Sequence, residues 1–471
     1  MSLNELYRPQ FHFSDKDGWI NDPNGMIYYK GVYHLFYQNT PHDIEGDGNK
    51  MSWGHAISKD LIHFEILNPA ILATNEYAIW SGTCIHDKTN CSKLFDDENG
   101  GLIAYYTRKN NDNNKLQQEQ CLAYSKDDGS TWIKYNNGNP IITFKDDPFN
   151  NRDFRDPKVL YVSKFNCYIM LVCGGKLRIY SSTNLIDWTL ESVDASIDTE
   201  CPDLFLLDVI NSNEKYYVLS LGGRSYLIGD LIKINDKIHF VINRKHSFKE
   251  INFGPDSYAT QSFNNSDEVI SISWMNNWQY AHDSKRLTKS FAGAMTLAYK
   301  YSLIKENDEI KLISKPVDNY LSLNDKNSKI TKNIVINEKE KILDVANTFK
   351  LNLEFDVSDK QSFEIELNDN NDSKILISYD FTNQCLIVDR KNQKNSINYF
   401  FTTTYPCNVS PINKKINISM YVDRSSIELI INDGRNVGTF NTFMENKLNV
   451  SVSANKKCKL NYTYYNLKSI Y

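Results

Sequence analysis

Residues 56–64 read Ala56-Ile-Ser58-Lys-Asp-Leu-Ile-His-Phe64, and the phrase returns as Tyr180-Ser-Ser182-Thr-Asn-Leu-Ile-Asp-Trp188. Between them, Ala123-Tyr-Ser125-Lys-Asp-Asp-Gly-Ser-Thr-Trp132 repeats it with one residue inserted. The three serines lie 67 and 57 residues apart. Each copy reads as a strand end, a polar turn and an aromatic that can pack beneath the turn. Ser-x-Asp turns are common in β proteins, but three copies with a matching aromatic at this period point to a recurring four-stranded unit, and so to a β-propeller. About 300 residues at ~60 per unit makes about five blades.

The rest of the chain agrees. Met26–Tyr29, Val32–Tyr37, Leu102–Tyr106 and Tyr216–Ser220 are short apolar runs rich in Tyr, Val and Ile, broken by Gly, Asn, Asp and Pro. Such runs are strands. Tyr28-Tyr-Lys-Gly-Val-Tyr33 reads as a hairpin turning at Lys30-Gly31. No long stretch keeps a 3.6-residue period, so the class is all-β. The texture changes after about residue 305. Trp278 is the last tryptophan, Gly thins, and Leu351–Asp356, Ser362–Leu367 and Ser426–Ile431 alternate apolar with polar residues. Strands with one wet face belong in a β-sandwich. The expected order is a five-bladed β-propeller over 1–305, a linker over 306–318 around Lys315-Pro316-Val317, and a β-sandwich over 319–471. The sandwich holds none of the candidate acids and is read as structural.

Composition excludes several functions. With 471 residues, 29 Tyr and 23 Phe, there is bulk for a real core and the chain is not disordered. A net charge of -5 argues against a nucleic-acid partner. No run approaches the roughly 18 apolar residues of a membrane helix, so no membrane partner is expected. The nine cysteines are odd in number and lack CxxC spacing, which speaks against zinc and redox motifs; they read as buried reduced thiols. Residues 1–15 lack a basic-then-apolar signal. The expectation is a cytoplasmic protein, with secretion the alternative if a native signal has been removed. The oligomeric state is open.

Three carboxylates sit in unusual settings: Asp22 in Trp19-Ile-Asn-Asp-Pro-Asn-Gly25, Asp156 in Phe154-Arg-Asp-Pro157, and Glu200 in Asp198-Thr-Glu-Cys-Pro-Asp203. In each, a proline follows within two residues. Proline fixes the chain and pushes its predecessor towards extended geometry, so the acid is held in place. Any one of them is also an ordinary turn; three before residue 210, on blades that can bring them together, are more than that. Trp19, Trp53, Trp80, Trp274 and Trp278 accompany the polar residues Asn21, Gln38, Ser81 and Arg155 in the same region. Sugars are bound by hydrogen bonds plus an aromatic face, and two carboxyls flanking a glycosidic bond are the usual glycosidase machinery. Trp132 and Trp188, at the repeat position, read instead as anchors between blades.

These motifs resemble glycoside hydrolase family 32, the invertase, inulinase and levanase family. Trp19–Gly25 is similar to its nucleophile motif, Phe154–Pro157 to its second and Glu200–Asp203 to its third. Phe36-Tyr-Gln38, Trp53-Gly-His-Ala56, Trp80-Ser-Gly82 and Trp274-Met-Asn-Asn-Trp278 follow in the family's order. Asp256-Ser-Tyr-Ala259 stands where the family has Asp-Phe-Tyr-Ala. The resemblance implies a five-bladed propeller followed by a sandwich, and a retaining β-fructofuranosidase without metal or organic cofactor. It implies Asp22 as nucleophile, Glu200 as acid/base and Asp156 gripping ring hydroxyls, with Arg155 keeping Asp156 charged. Trp19, Asn21, Gln38, Trp53, Trp80, Ser81, Arg155 and Trp274 are the expected substrate contacts. The expected substrate is sucrose or a fructan. The alternatives are a sucrose-6-phosphate hydrolase, a fructosyltransferase and an inactive fructan-binding protein.

Overall fold

Two-residue turns and short apolar runs give the chain little choice but antiparallel ladders. The computed structural model describes residues 5–112, 117–149, 153–369, 371, 373–395, 397–445 and 447–471. The first 316 residues supply five antiparallel sheets. Their innermost strands are Gly18–Tyr29, Tyr77–Asp87, Arg155–Val162, Asp203–Asp208 and Tyr258–Ser262. Each packs on the next, and the fifth packs on the first, so the ring closes. Phe291–Ala292, which follows the fifth sheet's second strand, pairs parallel with Gly18 and Trp19 and latches the last sheet to the first. The Tyr28–Tyr33 hairpin turns at Lys30-Gly31, with Tyr29 opposite Val32.

The repeated phrase sits at one place in the first three sheets, between the third and fourth strands. Ser58 Oγ accepts from Leu61 N at 2.9 Å, Ser182 Oγ from Leu185 N at 2.9 Å, and Ser125 Oγ from Gly129 N at 2.8 Å. Asp60, Asn184 and Asp127 each accept a further backbone N–H downstream. The aromatics are wedges between sheets. Trp132 meets Phe36 of the first sheet edge-on at 5.5 Å, and Trp188 meets Tyr105 of the second at 5.6 Å. The fourth and fifth sheets use a different device, the two-residue turns Asn235-Asp236 and Asn307-Asp308, all four residues with positive φ.

That second turn corrects the expected boundary. Glu309–Pro316, placed in a linker by sequence, is the outer strand of the fifth sheet and pairs along Tyr299–Glu306. Asn307-Asp308 is a hairpin turn, and Pro316 ends an edge strand, where a missing N–H costs no ladder bond. Beyond it, two six-stranded sheets face each other. Phe349, Leu351, Leu353 and Phe355 of one meet Phe363, Ile365 and Leu367 of the other in a single core, with the Phe355 and Phe363 rings stacked at 3.7 Å. All nine cysteines are free, and seven are buried.

Candidate active site

A strand interior points side chains alternately up and down, so aiming a polar group along a propeller axis needs a break in the ladder. Four of the five inner strands have one beside a candidate residue. Asn21 and Asp22 together oppose Gln38, between the pairs Ile20–Asn39 and Pro23–Tyr37. Ser81 is the extra residue between Trp80–Thr107 and Gly82–Tyr106. Asp156 and Pro157 share Val172, and Ala259 and Thr260 share Ser273. Such bulges re-aim side chains, and prolines are tolerated at them because the ladder is already interrupted. Asp156 departs from the extended geometry expected before a proline: its φ is 63°, and Cys201, before Pro202, has φ 45°. Left-handed non-glycine residues are costly and persist where the surroundings over-determine them.

Two of the bulges, together with the turn between Thr199 and Asp203 that carries Glu200, bring Asp22, Asp156 and Glu200 into one cavity of about 420 Å³, with Asn21, Gln38, Trp80, Ser81 and Arg155 on its wall. Trp19, Trp53 and Trp274 do not reach it. All three indoles are fully buried, so none offers a free face to a sugar. Trp19 donates from Nε1 to Asn21 Oδ1 at 2.8 Å, and Trp53 donates to the Trp80 carbonyl at 3.0 Å. They brace the wall from behind. The exposed indole is Trp278, which lies with His282 over Trp19 and Trp274. Trp274 ends a strand inside the ring, whereas Trp278 is on the loop after it and so reaches the pocket. Gln118, Asp153 and His282 also line the cavity; no sequence motif singled them out.

The acids are held differently. Asp22 is buried among neutral donors: Asn21 Nδ2 at 3.0 Å, Ser81 Oγ at 2.7 Å and the Cys201 thiol at 3.4 Å. Burial raises its pKa, as does the Glu200 charge, against the pull of Asn21 and Ser81. Burial and the surrounding carboxylates push the Cys201 thiol far up, so it stays a donor. Asp156 accepts from Cys201 N at 2.9 Å, and its own N–H donates to Thr107 Oγ1 at 2.9 Å. The expectation that Arg155 keeps it charged needs correction. Burial dominates and lifts its pKa to about 7; Arg155, 3.7 Å away, pulls it back only in part, and Glu200 and Asp22 add to the rise. The closer Arg155 contacts go to Glu200 Oε2 at 2.8 Å and Asp153 at 2.7 Å. Glu200, about a third exposed, also accepts from the Tyr258 hydroxyl at its other oxygen. Among the described residues, no group of three or more His, Cys, Asp or Glu is placed to hold a metal ion.

A closed ring of five antiparallel sheets, a carboxylate-lined pocket and a trailing sandwich define a class of two-domain β-propeller proteins. Residues 12–316 match the glycosyl hydrolases family 32 N-terminal domain and 317–467 the glycosyl hydrolases family 32 C-terminal domain, and the chain belongs to that family. It is 33% identical to a fructan beta-fructosidase of Streptococcus mutans over 99% of this chain and 34% of that protein. It is 34% identical to a levanase of Bacillus subtilis over 92% of this chain and 66% of that protein. The chain thus spans between a third and two thirds of these relatives. The structure superposes on an exo-inulinase from Aspergillus awamori with a TM-score of 0.92 at 27% identity, covering all of both chains.

Proposed function

We propose that this chain is a retaining glycosidase that releases terminal β-D-fructofuranosyl units from sucrose or fructans. The observation that carries the reading is the convergence of Asp22, Asp156 and Glu200 in one pocket of a family 32 fold. Asp22 attacks the anomeric carbon. Its neutral donors orient it and favour its ionised form without neutralising it by a counter-charge. Glu200, on the more open side, gives its proton to the leaving oxygen and then takes one from water. Asp156 shares Cys201 with Asp22, the backbone N–H donating to Asp156 and the thiol to Asp22, and is placed to accept from ring hydroxyls as positive charge develops at the anomeric carbon. Trp278 supplies the apolar face at the rim. The relatives named for fructan, levan and inulin support a polymeric or oligomeric fructoside.

The test is a panel of sucrose, sucrose-6-phosphate, levan and inulin with the wild type, Asp22→Ala and Glu200→Ala. The wild type is expected to release fructose from at least one of the unphosphorylated substrates. Asp22→Ala should fall to background on all. Glu200→Ala should lose about 10²–10⁴-fold on sucrose but much less on 4-nitrophenyl β-D-fructofuranoside, whose leaving group needs little protonation. Equal losses on both would remove Glu200 from the acid/base role. Hydrolysis of sucrose-6-phosphate alone would replace the proposed substrate.

A further inference from the structure

Glu200 is steadied from the side of the second domain. Its partner Tyr258 lies two residues after Asp256, a fully buried carboxylate. Asp256 accepts from Asn277 Nδ2 at 3.0 Å and from the Tyr280 hydroxyl, both in the propeller. It also accepts from Arg390 Nη1 at 2.8 Å and the Asn441 backbone N–H at 2.7 Å, both in the sandwich. The segment leading to it lies along the sandwich strand Asn436–Asn441. Phe253 N donates to Val437 O, Thr439 N to Asn252 Oδ1, and Asp256 N to Thr439 O. Gly254 permits the approach, since a Cβ there would meet Thr439 O at 2.2 Å.

Arg390 uses all five of its N–H donors. Nε donates to Phe401 O, Nη1 to Asp256 and Asn441 O, and Nη2 to the Tyr280 and Tyr405 hydroxyls. The guanidinium lies 4.1 Å over the Phe401 ring. A fully buried ion pair of this kind is weak as a source of stability, because apolar packing can replace it at little or no loss. Its directional hydrogen bonds, in contrast, tie particular backbone and side-chain atoms of the two domains together. The node at Asp256 fixes two pieces of the pocket at once: Tyr258, which holds Glu200, and Asn277 and Tyr280, which flank Trp278.

We infer that Arg390 is a positioning residue for the acid/base, so that the sandwich domain, through Asp256 and Tyr258, sets where the Glu200 carboxyl stands. The inference rests on the reading of Glu200 as acid/base and deepens it. A misplaced acid penalises departure of a poor leaving group and spares a good one. The sandwich is then part of the catalytic apparatus and not a stabilising appendage alone.

The experiment compares Arg390→Lys with the wild type on sucrose and on 4-nitrophenyl β-D-fructofuranoside, alongside thermal melting. Lysine keeps the charge with three donors in place of the five-donor fork. The expected result is a fall in kcat on sucrose of about 10–100-fold against less than about 3-fold on the aryl fructoside, with KM little changed. Glu306→Gln, at the Arg435–Glu306 domain contact, which shares no hydrogen bond with Asp256, Tyr258 or Arg390, is the control: it should leave the ratio between the two substrates as in the wild type. If Arg390→Lys is insoluble, the isosteric Asp256→Asn takes its place with the same expected signature. An unaltered substrate ratio in a folded variant of either residue overturns the inference while the acid/base reading stands. A wild type inactive on both substrates overturns the functional reading, and the inference with it.

Discussion

Asp156 shows how a single residue can be set against the fold that holds it. Its carboxyl is buried, and its pKa is lifted from 3.8 to about 7. A carboxyl whose folded pKa exceeds its unfolded value binds its proton more tightly when folded, so stability falls as pH rises from about 4 to about 7 and is level above. Asp156→Asn removes that dependence. Its melting temperature should match the wild type near pH 4 and exceed it at pH 7 and above, by the equivalent of about 1–3 kcal/mol, while kcat drops about 10²-fold. Melting curves across pH 4–8 check this; a variant less stable than wild type at pH 8 would contradict it. The three acids were legible because each stands beside a proline in a distinctive phrase. The left-handed backbone of Asp156 and Cys201 was not, since local sequence rules favour extended geometry before proline and only the closed ring overrides them. The tryptophans were legible as a group but not in their directions: whether an indole faces the pocket or the core depends on where the strand ends.

Among the elements, the repeated turn was the clearest signal, because its hydrogen bonds are made within a few residues and so impose a sequence. Ser182 Oγ accepts from two backbone N–H groups, and Leu185 sits behind it fully buried with φ 64°. Ser182→Ala should cost about 1–2 kcal/mol, lowering the melting temperature by about 1–3 °C, with kcat/KM on sucrose unchanged. Loss of activity without loss of stability would show that the turn does more than close a sheet. The fourth and fifth sheets escaped the pattern because Asn-Asp turns do the same work in two residues, and the second of these falls in the segment expected as a linker. Pro23 and Pro157 mark two of the bulges, and the others left no sign in the sequence. They are a property of register between strands, and register is set by the partner strand as much as by the strand itself.

At the scale of the molecule, the two domains are joined by buried charge as well as by apolar packing. His12 is gripped by Asp423 Oδ2 and Glu428 Oε1, each at 2.9 Å, at the junction. Burial works against the charged ring, but the hydrogen bonds and charges of the two carboxylates prevail and hold its pKa near 9. A histidine with a raised pKa contributes stability that is fully present below about pH 6.5 and is lost as pH rises through about 9. Melting temperature should therefore decline between pH 7 and pH 9.5 in the wild type. In His12→Gln it should start lower at pH 6 and decline less. A wild-type melting temperature flat across that window would contradict the clamp. Alternating patterns made the sandwich legible as a fold, but no local pattern marks Arg390 or Asp423 as reaching into the other domain.

On this mechanism the reaction is a double displacement through a fructosyl–Asp22 intermediate. The most direct test is to let methanol compete with water while the wild type turns over sucrose, and to read the anomeric configuration of the methyl fructofuranoside by NMR. Attack on a covalent intermediate from the face that glucose has left predicts methyl β-D-fructofuranoside, with retention. The α anomer as the first product would mean direct displacement by the acceptor, and would contradict the assignment of Asp22 as the nucleophile.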